Sequence, residues 1–123
     1  MGKRRIVVAV KVTVIIPVYN MEQYLEECLD SVITQSLRDI EIICINDGSK
    51  DNSITILRAY ESRDNRIKII DQENKGVATA RNIGIKAARG KYVIFMDPDD
   101  LYPADDVLES LYTAAEENNV LAA

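Results

Sequence analysis

The chain contains no histidine and only two cysteines in 123 residues. Imidazole acid–base catalysis is therefore excluded within it, and without paired-cysteine spacing a zinc site has no ligand set to build on. Cys28 falls on the apolar stripe of a predicted helix and Cys44 inside an apolar strand, so both read as small buried hydrophobes. No stretch approaches the roughly 20 apolar residues that cross a bilayer. Lys3, Arg4 and Arg5 ahead of Ile6–Val10 faintly resemble a signal peptide, but Lys11 cuts the apolar run short and no small-residue cleavage site follows. Residues 1–11 read as a lead-in or a first-strand extension. Positive charge is also in deficit: 15 basic residues against 20 acidic leave a net charge of −5. That balance argues against broad binding of nucleic acid or an anionic membrane surface.

What the sequence does have is a soluble globular composition, 47% apolar and 28% charged, at a length that suits one domain. From Lys11 onward apolar runs and helical patterns alternate, with no repeat or low-complexity linker. Val12–Ile16 predicts a strand ending at Pro17. A helix over Met21–Gln35 follows, with Asn20 as its cap, Gln23 as a capping-box partner, and Tyr24, Leu25, Cys28, Leu29, Val32 and Ile33 on its buried face. Ile40–Ile45 predicts the second strand. The next helix takes Asp51 or Asn52 as its cap and turns Ile54, Leu57 and Tyr60 inward. Ile67–Ile70 is a short third strand, and Val77–Ala88 a helix whose Ala78, Ala80, Gly84, Ala87 and Ala88 permit close backbone packing. Tyr92–Met96 is the fourth strand, and Pro103 opens a last helix with Val107, Leu108, Leu111, Tyr112 and Ala115 on one face. Four strand–helix units in succession imply right-handed crossovers and a mainly parallel sheet in a three-layer α/β/α, Rossmann-related arrangement.

In such sheets ligands bind beyond the carboxyl ends of the strands. Three polar loops should meet there. Asp97-Pro98-Asp99-Asp100 emerges abruptly from a fully apolar strand. Carboxylates two residues apart suit a hard divalent cation such as Mg²⁺ or Mn²⁺, and Pro98 stiffens the turn; the plainer reading is an acidic helix cap. Asn46-Asp47-Gly48-Ser49-x-Asp51 reads equally as a capped turn and as an acceptor for a base N–H or a ribose hydroxyl. Pro17-Val18-Tyr19-Asn20 offers an aromatic face for a base or sugar, although alone it reads as a helix entry. Arg81 suits a phosphate or carboxylate, or simply a solvated helix face. Asn74, Lys75 and Gly76 could present a cation and backbone N–H groups to an anion.

Taken together, VIIPVYN (Val14–Asn20), INDGSKDNS (Ile45–Ser53), NKGVATARNIGI (Asn74–Ile85) and GKYVIFMDPDD (Gly90–Asp100) resemble the N-terminal half of the family-2 inverting glycosyltransferases, which have the GT-A fold. The resemblance runs from Lys11 to the last helix and makes residues 12–123 a nucleotide-sugar-binding half. It implies a nucleoside-diphosphate sugar donor, most often UDP-linked, with Mn²⁺ or Mg²⁺ on the diphosphate. Pro17 and Tyr19 would line the base pocket, Asp47 would read the base with Asp51 beside it, and Gly76 and Arg81 would sit by the nucleotide. Asp97 would lie near the ribose and metal, with Asp99 as the metal ligand. The family's general base belongs to a later, acceptor-binding half, beyond Ala123 here. Glu116 and Glu117 are not assigned that role, and the chain is expected to be a truncated piece.

The acceptor is then a saccharide, a lipid-linked group or another hydroxyl compound, and the setting the cytoplasm or the cytoplasmic face of a membrane. A second copy pairing on an exposed sheet edge is a further expectation. A degenerate half that only binds or scaffolds is one alternative, and two other classes compete. A nucleotidyltransferase-like half wants a glycine-rich basic loop after the first strand, which Pro17–Asn20 is not. A non-catalytic, receiver-like interaction module wants acids there instead of Pro-Val-Tyr-Asn.

Overall fold

A computed structural model describes residues 9–118. Strands and helices alternate as β1 (Val12–Val18), α1 (Leu25–Ile33), β2 (Ile40–Asp47), α2 (Ser53–Arg63), β3 (Ile67–Gln72), α3 (Val77–Ala87), β4 (Tyr92–Phe95) and α4 (Val107–Glu117). The strands form one parallel sheet in the order β3-β2-β1-β4. β1 and β2 are buried along their whole length, which is why both read as continuous apolar runs rather than alternating ones.

Alternation along the strands sorts the core into two layers. Val12, Val14, Ile16 and Val18 pack with Ile42 and Cys44 against α1, α2 and Leu108 of α4. Ile15, Ile43 and Ile45 face the other way, onto Ala80 of α3. The chain steps from β1 to β2 to β3 in one direction with its helices on the first face. It then returns past β1 to β4 with α3 on the second face. Reversing both direction and face keeps all three crossovers in one hand, and it leaves a switch point where β1 and β4 part company.

Close packing of α3 rests on fewer small residues than expected. A Cβ on Gly84 would lie 2.6 Å from Ile15 Cγ2 and 3.0 Å from Ile45 Cδ1. Ala80 is buried, but Ala78 and Ala87 face solvent. At the other end of the chain, α4 starts at Val107 rather than at Pro103, and Leu111, expected on its inner face, is 49% exposed.

β1 does not stop at Pro17. It continues to Val18, with Pro17 in register opposite Ile45. Ile15 O accepts the Met96 N–H at 2.9 Å, so Ile15 and, two residues on, Pro17 turn their backbone groups toward β4. β4 has ended at Phe95, and the missing proline donor therefore breaks no ladder bond. At the amino end, Lys91 N–H donates to Val10 O and Tyr92 N–H to Lys11 O, both at 3.1 Å, just ahead of the first residue of β1, Val12. The remainder of the expected lead-in, residues 1–8, lies outside the described residues, as do 119–123. Among the described residues no helix is long and apolar enough to cross a membrane.

The amino end of the sheet is tied by Glu41, whose side chain is only 3% exposed. Its carboxylate accepts from the Thr13 hydroxyl at 2.7 Å, Lys68 Nζ at 3.1 Å and the Arg89 backbone N–H, so it joins β1, β2, β3 and the α3–β4 connection. Burial pushes this carboxyl upward, but the hydrogen bonds from Thr13, Arg89 and Lys68 outweigh it and hold the group below its ordinary value of 4.5. A carboxyl depressed in the folded state adds stability above its unfolded value and loses it as pH falls through the folded one. Urea denaturation should accordingly show Glu41→Ala losing about 3 kcal/mol at neutral pH, because three donors are left without their acceptor. The gap between mutant and parent should narrow as the pH is taken below about 4.5. A gap that stays constant with pH would show that the carboxylate's charge is not what ties the strands.

Candidate functional site

A cavity of about 340 Å³ opens at the switch point. Pro17, Val18, Tyr19 and Met21 line it from the end of β1, and Asp47 from the end of β2. Asn74, Gly76 and Val77 come from the entry to α3, while Asp97, Pro98 and Asp99 come from the turn after β4. Of the residues singled out in the sequence, Pro17, Tyr19, Asp47, Gly76, Asp97 and Asp99 are thus brought together, whereas Asp51 and Arg81 are not among the lining residues. Asn74, read beside Gly76 as part of an anion-facing entry to the helix, is in the lining too, and Met21 and Val77 complete it without having been singled out for it. The signal for them was positional: each lies within three residues of a strand end or a helix start in the loops that converge.

Asp47 is 3% exposed, and its carboxylate is already engaged. Oδ1 accepts from the Lys75 N–H at 2.8 Å and Gln72 Nε2 at 3.0 Å, and Oδ2 accepts from the Gly76 N–H at 3.0 Å. The anion expected at the entry to α3 is therefore the protein's own. Asp47 occupies the positive end of that helix and uses the N–H groups that an outside anion would need. A carboxylate has about four acceptor positions, so these three donors leave room for one more on the cavity side. Gly48 fits the same junction: its φ is +75°, and a Cβ there would stand 2.6 Å from the Asn74 nitrogen. The Asp-Gly pair makes no hairpin, since β2 passes directly into α2.

Asp51 performs the matching task at α1. Its Oδ2 accepts from the Glu22 N–H at 3.1 Å and its Oδ1 from the Ser53 N–H at 2.9 Å. Burial raises this carboxyl, but hydrogen bonds from Ser53 and from the Glu22 N–H outweigh it and leave it below the ordinary carboxylate range. Asn20 is not the cap of α1. It sits at φ +51° with its Oδ1 accepting the Lys50 N–H at 2.7 Å, and the regular helix begins only at Leu25, with no capping-box bond from Gln23 among the described contacts. A partner 30 residues away has taken the side chain that local reasoning gave to the helix.

At the β4 end, Asp97, Asp99 and Asp100 each offer a carboxylate oxygen within 4.8 Å of the others, and all three are exposed. Pro98 is buried beneath them and Asp100 N–H donates to Asp97 O at 3.0 Å, which closes the turn. Under the turn lies the Cys28 thiol, 3.8 Å from Asp97 O, raised to about 12 by burial and then by the charges of Asp100, Asp99 and Asp97. Both cysteines are buried and free, as expected. Arg81 NH2 stands 3.5 Å from Asp97 Oδ1, and its guanidinium lies over the Phe95 ring at 5.6 Å. One partly solvated ion pair of this kind leaves most of the carboxylate repulsion uncompensated. The oxygen-only donor set, its charge and its place at the cavity mouth fit a small hard cation.

Glu116 is remote from this chemistry. It accepts from Lys91 Nζ at 2.7 Å, the Tyr112 hydroxyl at 2.8 Å and the Tyr92 hydroxyl at 2.9 Å, at the amino end of β4. Those donors, Lys91 foremost, bring its carboxyl down to about 2. A group so acidic and so placed does not serve as a base at the cavity.

A family model described as Glycosyl transferase family 2 matches residues 13–123. The glycosyltransferase EpsJ of Bacillus subtilis (strain 168) is 49% identical over 109 residues, which cover 89% of this chain and 31% of EpsJ. Among solved structures, S. aureus TarS in complex with UDP-GlcNAc is 29% identical with a TM-score of 0.82, over 89% of this chain and 32% of that one. The mannosyltransferase PcManGT from Pyrobaculum calidifontis, in complex with GDP-Man and Mn²⁺, is 28% identical with a TM-score of 0.76, over 86% of this chain and 31% of that one. The chain thus spans about a third of the length of each of these proteins.

The engagement of Asp47 has a direct consequence. Asp47→Ala strands the Lys75 and Gly76 N–H groups, and amide hydrogen exchange at both should accelerate by roughly tenfold or more relative to amides in α2. Unchanged protection at 75 and 76 would mean that the loop holds its shape without the carboxylate.

Proposed function

The chain belongs to glycosyl transferase family 2, and from that premise we propose that it is the donor-binding part of a metal-dependent, inverting glycosyltransferase. The observation that carries this reading is the convergence of Pro17, Tyr19, Asp47, Gly76, Asp97 and Asp99 on one cavity from four strand ends. A nucleoside diphosphate suits that lining. Tyr19 with Pro17 and Val77 makes an apolar slot for a base, and the last acceptor position of Asp47 takes a base N–H. The mouth runs out onto the Asp97–Asp100 turn, where a diphosphate needs a cation. TarS with UDP-GlcNAc and PcManGT with GDP-Man and Mn²⁺ support the same class of ligand.

We assign Asp99 and Asp97 to Mn²⁺ or Mg²⁺, with Asp97 also near the ribose. The cation, when bound, supplies Lewis-acid neutralisation of the departing diphosphate. Arg81 steadies Asp97 from outside the cavity, and Asp51 serves the site from behind its wall. A UDP-linked donor is the reading the family resemblance favours. The acceptor hydroxyl, whether of a saccharide or a lipid-linked group, and the general base belong to the rest of a longer parent protein. Use of cytosolic nucleotide sugars sets the work in the cytoplasm or at the cytoplasmic face of a membrane. Family membership sets aside the receiver-like and nucleotidyltransferase-like readings; a donor-binding half without turnover is the one that an assay must separate.

Calorimetric titration of the chain with UDP and UDP-sugars, with and without Mn²⁺, is the test. Binding should require the metal, fall at least tenfold in Asp99→Ala and persist in Glu116→Ala. Equal binding in the presence of chelator would remove the cation from Asp97 and Asp99, and absence of binding to any nucleoside diphosphate would remove the donor reading itself. Steady sugar transfer to an acceptor by these 123 residues alone would contradict the assignment of the base to the parent protein.

A further inference from the structure

Three consecutive backbone N–H groups at the entry to α1 find their acceptors on a different loop. Asn20 N–H donates to Ser49 Oγ at 3.0 Å, Met21 N–H to Ser53 Oγ at 3.0 Å and Glu22 N–H to Asp51 Oδ2 at 3.1 Å. In return the Lys50 N–H donates to Asn20 Oδ1, and Asp51 Oδ1 holds the Ser53 N–H. The acceptors are every second residue, 49, 51 and 53, so one edge of the β2–α2 loop meets one edge of the β1–α1 loop. Asn20 closes the junction at φ +51°, a left-handed conformation that asparagine tolerates better than most residues.

This clasp lies immediately behind the cavity wall. Tyr19 precedes the first clasped residue and Met21 is itself clasped, and both line the cavity. Tyr19 is 43% exposed, so its direction depends heavily on the backbone to either side: Val18 in the strand and Asn20 in the clasp. Asp51 does not line the cavity, and each of its carboxylate oxygens accepts a backbone N–H.

We propose that Asp51, with Ser49 and Ser53, is a positioning residue for nucleotide binding: it touches no ligand and acts through the backbone of residues 20–22 to hold Tyr19 in the cavity wall. This rests on the nucleotide reading of the cavity and departs from the family resemblance, which sets Asp51 beside the base.

Hydrogen exchange on the unliganded chain reads the clasp without any ligand. Asp51→Asn presents an amide to the Glu22 N–H or to the Ser53 N–H, and should speed exchange at Glu22 and Met21 by roughly tenfold. UDP titration with Mn²⁺ then reads its consequence across a double-mutant cycle. Asp51→Asn should weaken UDP by roughly tenfold, and in a Tyr19→Leu background the same change should cost almost nothing further, because the wall it positions has lost its aromatic face. Ser49→Ala gives an independent, milder variant, and Ser49→Thr, which keeps the hydroxyl, should restore binding. Additive losses in the cycle would mean that Asp51 acts on the ligand by some route other than Tyr19, which overturns the proposal. So would faster exchange with undiminished UDP affinity, since the clasp would then serve the fold alone. A parent chain that binds UDP while Asp51→Asn binds it equally well sinks this inference only; a parent chain that ignores UDP sinks the reading of the cavity along with it.

Discussion

One loop holds the other two. From the last residue of β2 to the first of α2 the chain offers four side-chain acceptors, Asp47, Ser49, Asp51 and Ser53, to the backbone N–H groups of Asn20, Met21 and Glu22 on one side and Lys75 and Gly76 on the other. Those five groups precede α1 and α3, where backbone donors have no partner within their own helix. Their satisfaction from a neighbouring loop does two things together. It removes the desolvation penalty of unpaired N–H groups, and it places a carboxylate, Asp51 or Asp47, at the positive end of each helix. The walls of the cavity are the residues adjoining these bonds.

The same arrangement explains why the cavity has the chemistry it has. Helix N-termini in a parallel α/β sheet are natural anion sites, but at the end of β3 the position is filled by Asp47. The diphosphate of the proposed donor would find that position taken, and the turn after β4 carries three exposed carboxylates within 4.8 Å of one another. The proposed cation between those carboxylates and the diphosphate would offset the repulsion between them. Arg81, 3.5 Å from Asp97 and over the Phe95 ring, supplies one fixed positive charge at the edge of that turn.

The sheet is organised from its two ends differently. At the amino end, Glu41 joins three strands and the α3–β4 connection through a buried carboxylate. At the carboxyl end the loops are joined to each other and, through Asp47, to the end of β2, and a cavity opens beside Pro17 and Val18. The Glu41 tie and the candidate site thus lie at opposite ends of the same four strands. Gly84 supports both: its lack of a side chain lets α3 approach Ile15 and Ile45, and α3 in turn carries Gly76 and Val77 to the cavity.

Element order, the two-sided burial of β1 and β2 and the location of the site at the strand ends were legible in the sequence, because hydrophobic period and strand–helix alternation are local properties that survive any later packing. So was the placing at the cavity of Tyr19, Asp47, Asp97 and Asp99, each just past or near the point where an apolar run stops, and of Gly76, just before a helical pattern starts. The partner of each side chain was not legible. Asn20 has the composition of a helix cap and became the acceptor for Lys50; Asp51, read also as a cap of the helix after it, accepts there from Ser53 and reaches the Glu22 N–H as well. Side-chain oxygens choose among backbone donors by distance in space, and only the sheet order that sets β1 beside β2 decides which donors, 30 residues away in the chain, come within 3 Å.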